Sequence, residues 1–582
     1  MFASMAGFLL SLFVLVLILI GIAASMVSSL NDGESVSISD NTILQITFES
    51  AIKERTDKNP LSGLDFSGIH NDKTPGLDEI LKSLTKAKSD DRIKGILLEL
   101  TGIEAGMATT EEIRNALLDF KKSGKFIYAY GESYSQKAYY LATVADSIYL
   151  YPTGDIDLRG LHADLMFFKG TMEKLEIKPE IIRHGKFKSA VEPFMYDKMS
   201  NENREQVTVF LNSIWKNILS GIAVSRNLEV AKLQEIADGV LARNADEAVN
   251  MHLVDKLVYY DEVLDNLKRK TGQKEKDKLN FVSLKKYTQA FVKADDFSAK
   301  KIAVVYAYGN IVSGEGDDDE SGSDRIAKAL RKARLDTTIK AIVFRVNSPG
   351  GSALASDVIW RETVLAQKAK PFIVSMGDYA ASGGYYISCV ADTIVARPNT
   401  ITGSIGVFGL LFNAENMFKN KLGITFDSVK TGKYADLGSF HKPMSDKERQ
   451  IIQDEVERIY DIFITHVSEG RKMSKAAVDS IGQGRVWTGI DAKRLGLVDV
   501  LGGLNDAIAI AAGKANLTKY RTIALPEQKE FFEKLMQDLN TEARTTFMKE
   551  QLGDSYEYYK GLNNLVKQNG ILAKMPMTLE IK

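Results

Sequence analysis

Ile339-Lys340-Ala341-Ile342-Val343-Phe344 echoes Ile93-Lys94-Gly95-Ile96-Leu97-Leu98 at a distance of 246 residues. Gly377-Asp378 stands at the same distance from Gly131-Glu132, and Pro398 from Pro152. Tyr385-Tyr386 and Val390-Ala391-Asp392 repeat Tyr139-Tyr140 and Val144-Ala145-Asp146 at that spacing too. Further on, Lys421-Leu422 and Gly432-Lys433 follow Lys174-Leu175 and Gly185-Lys186 by 247 residues, which one inserted residue explains. Matching anchors in constant order mark a duplication, and a duplication must be recognised before domains are assigned.

Each half alternates short apolar, β-branched runs with helical patterns. In the second half, residues 302–307, 341–346 and 372–376 read as strands. Residues 323–334, 356–368 and 384–390 read as helices. Strands alternating with helices predict an α/β chain built of βαβ units with parallel sheet. Ligands of such folds lie beyond the carboxyl ends of the strands. Residues 266–280 are rich in Lys, Glu and Gly and read as a solvated linker. Past residue 516 the repeat fades; residues 527–552 carry a charged amphipathic helical pattern, and 562–573 suggest another. The expected organisation is an N-terminal anchor over 1–31, a first repeat over 40–265 and a charged linker over 266–300. A second repeat over 301–515 and a helical extension over 516–582 complete it.

The chain of 582 residues exceeds one ordinary core. Its 45% apolar and 26% charged content is globular. With 75 basic and 76 acidic side chains the net charge is −1, and no basic tract points to nucleic acid as a partner. Cys389 is the single cysteine, which excludes an internal disulfide and a cysteine-based metal site. The first 31 residues carry no charge, and residues 6–28 are almost continuously apolar. About 20 such residues span a bilayer. A retained anchor is the expectation. The competing reading is a signal peptide cleaved near Ala23-Ala24-Ser25, but the apolar run is long and no basic segment precedes it. The flanking charges, Asp32 and Glu34, do not encode an orientation.

Gly377-Asp378-Tyr379-Ala380-Ala381-Ser382-Gly383-Gly384-Tyr385-Tyr386 sets one serine among small residues, between a strand-like run and a helix-like one. The register partners of Ser382, Gly383 and Gly384 are Gln136, Lys137 and Ala138, so the first half lacks the serine and its glycines. A serine needs a base to become a nucleophile. No histidine follows Ser382 before His441, and Val407 stands where a Clp-type protease would carry one. Gly185-Lys186-Phe187-Lys188-Ser189-Ala190-Val191-Glu192-Pro193-Phe194 offers a lysine from the other half. Lys188 pairs with Ala435 in the register, whereas its rival Lys186 pairs with Lys433. Complementary losses are what a site divided between repeats would leave.

A lysine base must be neutral, and its ordinary pKa is about 10.4. Burial in apolar surroundings lowers it, and Phe187, Val191 and Phe194 are candidate walls. Ser404, in Thr402-Gly403-Ser404-Ile405-Gly406, is the candidate partner that aims the amine. Asn347-Ser348-Pro349-Gly350-Gly351-Ser352 follows a strand and can present a backbone N–H to a carbonyl oxygen. Gly350 or Gly351 would supply one oxyanion donor and Gly383 the second. Residues 405–411, apolar and β-like, are suited to pairing with an extended peptide.

Together these motifs resemble signal peptide peptidase A, the long, duplicated bacterial type, over residues 40–515 and the N-terminal span. The resemblance implies Ser382 as nucleophile, Lys188 as general base, Ser404 as its partner, and an oxyanion hole near Gly350, Gly351 and Gly383. It also implies two Clp-protease/crotonase-like spiral repeats, a bowl-shaped homo-oligomer, here a tetramer, and no cofactor or metal. The enzyme would be a single-pass protein of the bacterial inner membrane, its catalytic part periplasmic, degrading signal peptide remnants. Two other readings compete. A crotonase-like acyl-CoA enzyme would require neither Lys188 nor the Ser-Gly-Gly run, and a non-catalytic membrane scaffold would tolerate the loss of both.

Overall fold

The computed structural model describes residues 37–57, 74–290, 299–528 and 570–575, with Gly7, Ser11 and Val14 of the N-terminal stretch. The expected anchor otherwise lies outside the described residues. The duplication is visible element by element. In the first repeat, parallel strands run in the order Lys256–Leu257, Ser147–Leu150, Phe126–Gly131, Ile93–Glu99, Thr42–Ile46 and Asn280–Ser283. In the second, Ile339–Ser348 lies between Lys301–Tyr308 and Phe372–Ala381, all parallel. The helices correspond as well: Leu77–Ser89 with Ser323–Leu335, Met107–Lys121 with Ala353–Ala369, and Asn201–Arg226 with Asp446–Arg471. Central strands are covered on both faces and read as unbroken apolar runs; Ile342, Val343 and Phe344 are fully buried.

The segment expected to be a linker is largely built into the first repeat. Residues 266–271 finish the helix Tyr260–Thr271, which buries Val263 and Leu267 and exposes Arg269 and Lys270. Asn280–Ser283 then pairs in parallel with Thr42–Ile46. The charge that suggests a linker belongs to the solvent face of a docked helix. Arg521–Leu525 pairs the same way with Lys301–Tyr308, so the second repeat runs past residue 515. The helical pattern over 562–573 also gives way: Gly570–Lys574 is a strand. A short apolar run fits either period, and here two open strand edges decide it. The pattern over 527–552 lies outside the described residues apart from Glu527 and Gln528.

One helix among the described residues, Asn201–Arg226, is long and apolar enough to cross a membrane. It buries only a stripe, Val207, Phe210, Ile214, Ile218 and Ile222, at the spacing of a helix laid on a core.

A third sheet joins the repeats. Lys178–Arg183 leaves the first repeat and pairs antiparallel with Phe408–Asn413 of the second, Arg183 opposite Phe408. Gly570–Lys574 fills the space between Phe408–Asn413 and Gly350–Ser352, antiparallel to both. Beneath this sheet the halves are locked by charge. Arg345, fully buried on a central strand of the second repeat, meets Glu54 at 2.8 Å and Glu112 at 2.7 Å, both from the first. Asp378 accepts from the Thr109 N–H and hydroxyl at 2.9 and 2.6 Å. Removing one member of a buried pair leaves an uncompensated charge, at a cost of about 3–5 kcal/mol. Arg345→Ala should lower unfolding stability by about that much, read from the urea midpoint.

Candidate active site

Ser382 follows the strand Phe372–Ala381 and caps the short helix Gly383–Tyr386 with φ 54° and ψ −113°. A non-glycine residue held there is strained, and such strain gathers at functional sites. The conformation turns the chain sharply and leaves the hydroxyl at the strand's carboxyl end. Small neighbours are required: a Cβ on Gly383 would lie 2.6 Å from Ser356 Oγ, and one on Gly384 2.5 Å from the Ser348 carbonyl oxygen.

Lys188 arrives from the other repeat. It stands five residues past Arg183, so the cross-repeat strand pair delivers it over the end of the second sheet. Its Nζ donates to Ser382 Oγ at 2.7 Å, and to the Ser404 carbonyl and hydroxyl oxygens at 3.1 Å each. Ser382 Oγ also donates to the Gly406 carbonyl oxygen at 3.3 Å. Lys188, Ser382 and Ser404 are all 0% exposed. Burial alone pushes the Lys188 pKa well below its usual 10.5. The shift favours the neutral amine, the form whose lone pair can take the serine proton along the 2.7 Å contact. Lys186, the rival lysine, is exposed. Of the candidate walls, Val191 and Phe194 are buried in an apolar cluster with Met172, Phe408 and Leu410, and Phe187 is half-buried.

The Pro-Gly-Gly segment lies alongside. Gly350 takes φ +94°, a conformation that needs glycine. Its N–H donates to Ser348 Oγ at 3.1 Å, while Gly351 pairs with Ala573 on one side and Ile311 on the other. A Cβ on Gly350 would come within 2.6 Å of the Gly383 nitrogen, so the Pro-Gly-Gly turn packs against the residue that follows Ser382.

The chain's relatives fit this geometry. The sequence profile of Peptidase family S49 matches residues 119–274 and 365–518, once in each repeat. "Protease 4" of Haemophilus influenzae is 39% identical over 455 residues, covering 76% of this chain and 74% of that protein. "Protease 4" of Salmonella typhi is 37% identical over 525 residues, 88% of this chain and 84% of that one. "Serine protease SPPA, chloroplastic" of Arabidopsis thaliana is 35% identical over 461 residues, 78% of this chain and 67% of its own.

The chain belongs to peptidase family S49. It is a serine protease and, as the motifs suggest, of the duplicated type.

Two supports of this S49 site escape sequence reasoning. Gly484, at φ +79°, lies against Lys188: a Cβ there would sit 2.6 Å from Lys188 Cβ. The same turn donates the Gly484 N–H to the Ile405 carbonyl and accepts from the Phe187 N–H and, through Arg485, the Ser404 N–H. It thereby splints lysine and serine segments from different repeats. Gln206, buried on the long helix of the first repeat, donates to the Phe187 carbonyl and Ser189 hydroxyl and accepts from the Val486 N–H. Neither carries a local sequence signature; Gly482-Gln483-Gly484 resembles any loop.

Proposed function

We propose that Ser382 is the nucleophile of peptide hydrolysis and Lys188 its general base. One observation carries this reading: a fully buried, neutral-tending lysine amine 2.7 Å from a serine hydroxyl held in a strained turn. Lys188 takes the Ser382 proton as Oγ attacks the scissile carbonyl, then passes it to the leaving amine. Ser404 aims the amine. The Gly351 and Gly383 amides receive the developing oxyanion; losing one such donor typically costs roughly 10²–10³ in turnover. No cofactor or metal enters these steps. Each repeat is taken as a Clp-protease/crotonase-like spiral, a reading favoured by the parallel sheets and the oxyanion loop at their carboxyl ends.

The substrates proposed are flexible, apolar peptides, released signal peptides among them. An extended chain can reach a fully buried serine by pairing with the strand edges beside it, where Gly570–Lys574 lies in this structure, which a folded domain cannot do. The apolar residues 6–28 support a retained single-pass anchor in the bacterial inner membrane, with the catalytic part on the periplasmic side. Purified enzyme should hydrolyse a synthetic signal peptide and leave a tightly folded domain intact; equal rates on both would refute this substrate class.

Self-association into a ring, a tetramer by resemblance, has support in the duplication. Lys178–Arg183 and Phe408–Asn413 pair inside the chain. Their register counterparts, residues 425–430 and 162–167, are not strands here and expose Phe426, Val429 and Met166. Pairing one copy's 425–430 with the next copy's 162–167 would repeat the internal junction head to tail, an arrangement that closes as a ring when the rotation per copy divides a full turn. Val429, fully exposed in the single chain, is the test position. Val429→Asp should shift the sedimentation profile towards monomer, and an unchanged profile would count against this contact.

A further inference from the structure

Two strands of the second repeat end at the site, and one side chain clasps them together. Ile339–Ser348 leads into the Pro349-Gly350-Gly351 turn, and Phe372–Ala381 leads into Ser382. Their parallel ladder is even up to Val346 opposite Met376 and resumes with Ser348 opposite Ala380. Between these pairs the single residue Asn347 faces Gly377, Asp378 and Tyr379. A bulge re-aims the chain beyond it, and bulges gather beside active sites.

The Asn347 side chain fills this gap. Its Oδ1 accepts from the Tyr379 N–H at 3.0 Å, and its Nδ2 donates to Glu54 Oε1 at 2.7 Å. The amide can serve both partners in one orientation only, since its oxygen accepts and its nitrogen donates. Gly377 is required beneath it: a Cβ there would lie 2.7 Å from both Asn347 Cγ and Glu54 Oε1. The other bulge contacts are tied as well. The Gly377 carbonyl accepts from the Thr400 hydroxyl at 2.8 Å, and Asp378 is held by Thr109. Asn347 is 9% exposed and Glu54 5%.

Glu54 belongs to the first repeat. Its Oε2 accepts from Arg345 Nε at 2.8 Å, which holds the carboxylate in place for Asn347. So the first repeat, which brings Lys188 to the serine, also steadies the strand ends around it. Hydrogen bonding alone would suit any buried amide. Two observations go further. The clasp joins Asn347, two residues before Pro349, to Tyr379, three residues before Ser382. Its register partner in the repeat without the serine, 246 residues earlier, is Thr101, which is exposed.

The structure assigns Asn347, aimed by Glu54 of the first repeat, as a positioning residue that sets the gap between the Pro-Gly-Gly turn and Ser382. This rests on the reading of Ser382 as nucleophile and of that turn as part of the oxyanion hole. Asn347 acts through the two strand ends. If the clasp opens, the turn and the serine drift apart by a fraction of their spacing, and the developing oxyanion loses its donors. Misplacement of about 1 Å at a reacting centre can cost roughly 10²-fold in rate. Binding of the rest of the peptide does not depend on that gap.

The test is the kinetics of the full chain on an apolar peptide, with sites counted by phosphonate labelling to completion so that misfolded protein drops out. Binding of the matching peptide aldehyde, which forms an oxyanion on Ser382, is measured in parallel. Asn347→Ala should lower kcat per site by about 10² and weaken the aldehyde by a similar factor, with KM within about twofold of wild type. Glu112→Gln loosens the same junction at Arg345 without touching Asn347; it should lower the urea midpoint and leave kcat per site and aldehyde affinity near wild type. Asn347→Asp sets a second carboxylate against Glu54 and should be at least as damaged as Asn347→Ala. Adding Glu54→Gln returns one acid and one amide to the pair, with the donor now at position 54, and should restore about tenfold or more. If Asn347→Ala does not fold, that exchange decides. A raised KM with kcat unchanged, an aldehyde bound as tightly as by wild type, no recovery in the exchange, or Glu112→Gln losing kcat and aldehyde affinity alike overturns the assignment and leaves the proposed function standing. A wild-type chain that phosphonate does not label at Ser382 removes the nucleophile and this inference with it.

Discussion

Ser382→Ala and Lys188→Ala should each lower kcat for peptide hydrolysis by about 10⁴–10⁶, and the double variant should be no worse than the poorer single one. The two side chains share one hydrogen bond of 2.7 Å and act on one proton. Without the amine the serine has no base within reach; without the hydroxyl the amine has nothing to activate. Such partners are non-additive because the first deletion already removes what the second could contribute. Lys186→Ala, two residues away on an exposed side chain, should keep most of the activity. Circular dichroism should show both inactive variants folded. Losses that multiply in the double variant would mean that the residues act independently.

The second large effect is on pH and charge. Lys188 works as a base only when neutral, and burial sets its pKa well below 10.5. Activity should therefore rise with pH through that lowered pKa and level off above it. As pH falls through the same pKa, the amine takes a proton, the lone pair is lost and activity falls with it. Lys188→Arg keeps a cationic side chain of similar length but cannot lose its proton in this range. It should be about as inactive as Lys188→Ala, a loss on the order of 10⁴ or more. Activity retained by Lys188→Arg would show that the lysine acts as a fixed charge. The pH profile of kcat/KM, which reports groups in the free enzyme, is the measurement.

How much of this was legible in the sequence depended on how local each signal was. The duplication was legible because both copies kept matching residues at a constant spacing, and it carried the fold class with it. Ser382 and Lys188 stood out because each repeat lost what the other kept. The structure then brings the two side chains together through a strand pair between repeats that no local pattern announces. Gly484 and Gln206 left no trace, since their roles consist of contacts with residues far away in the chain. Asn280–Ser283 and Arg521–Leu525 were obscured for another reason. They are short edge strands set in charged surroundings, where composition reports the solvent face and not the ladder. Residues 562–573 suggest a helix because a short apolar run has no decisive period; pairing with the two strand edges beside Ser382 makes Gly570–Lys574 a strand. The same blindness affected the oxyanion loop. Pro-Gly-Gly announces a tight turn, but that the Ser348 hydroxyl engages the Gly350 N–H is visible only in the structure.

The central claim is that one active site is assembled from both repeats, with Ser382 attacking and Lys188 activating it. The most direct test is to trap the attacking residue with a peptide bearing an electrophilic carbonyl or phosphonate end, then map the adduct by mass spectrometry in wild-type and Lys188→Ala protein. The account predicts a single adduct on Ser382 in the wild type, formed far more slowly once Lys188 is gone. An adduct on another residue, or one on Ser382 that forms as fast without Lys188, would contradict it.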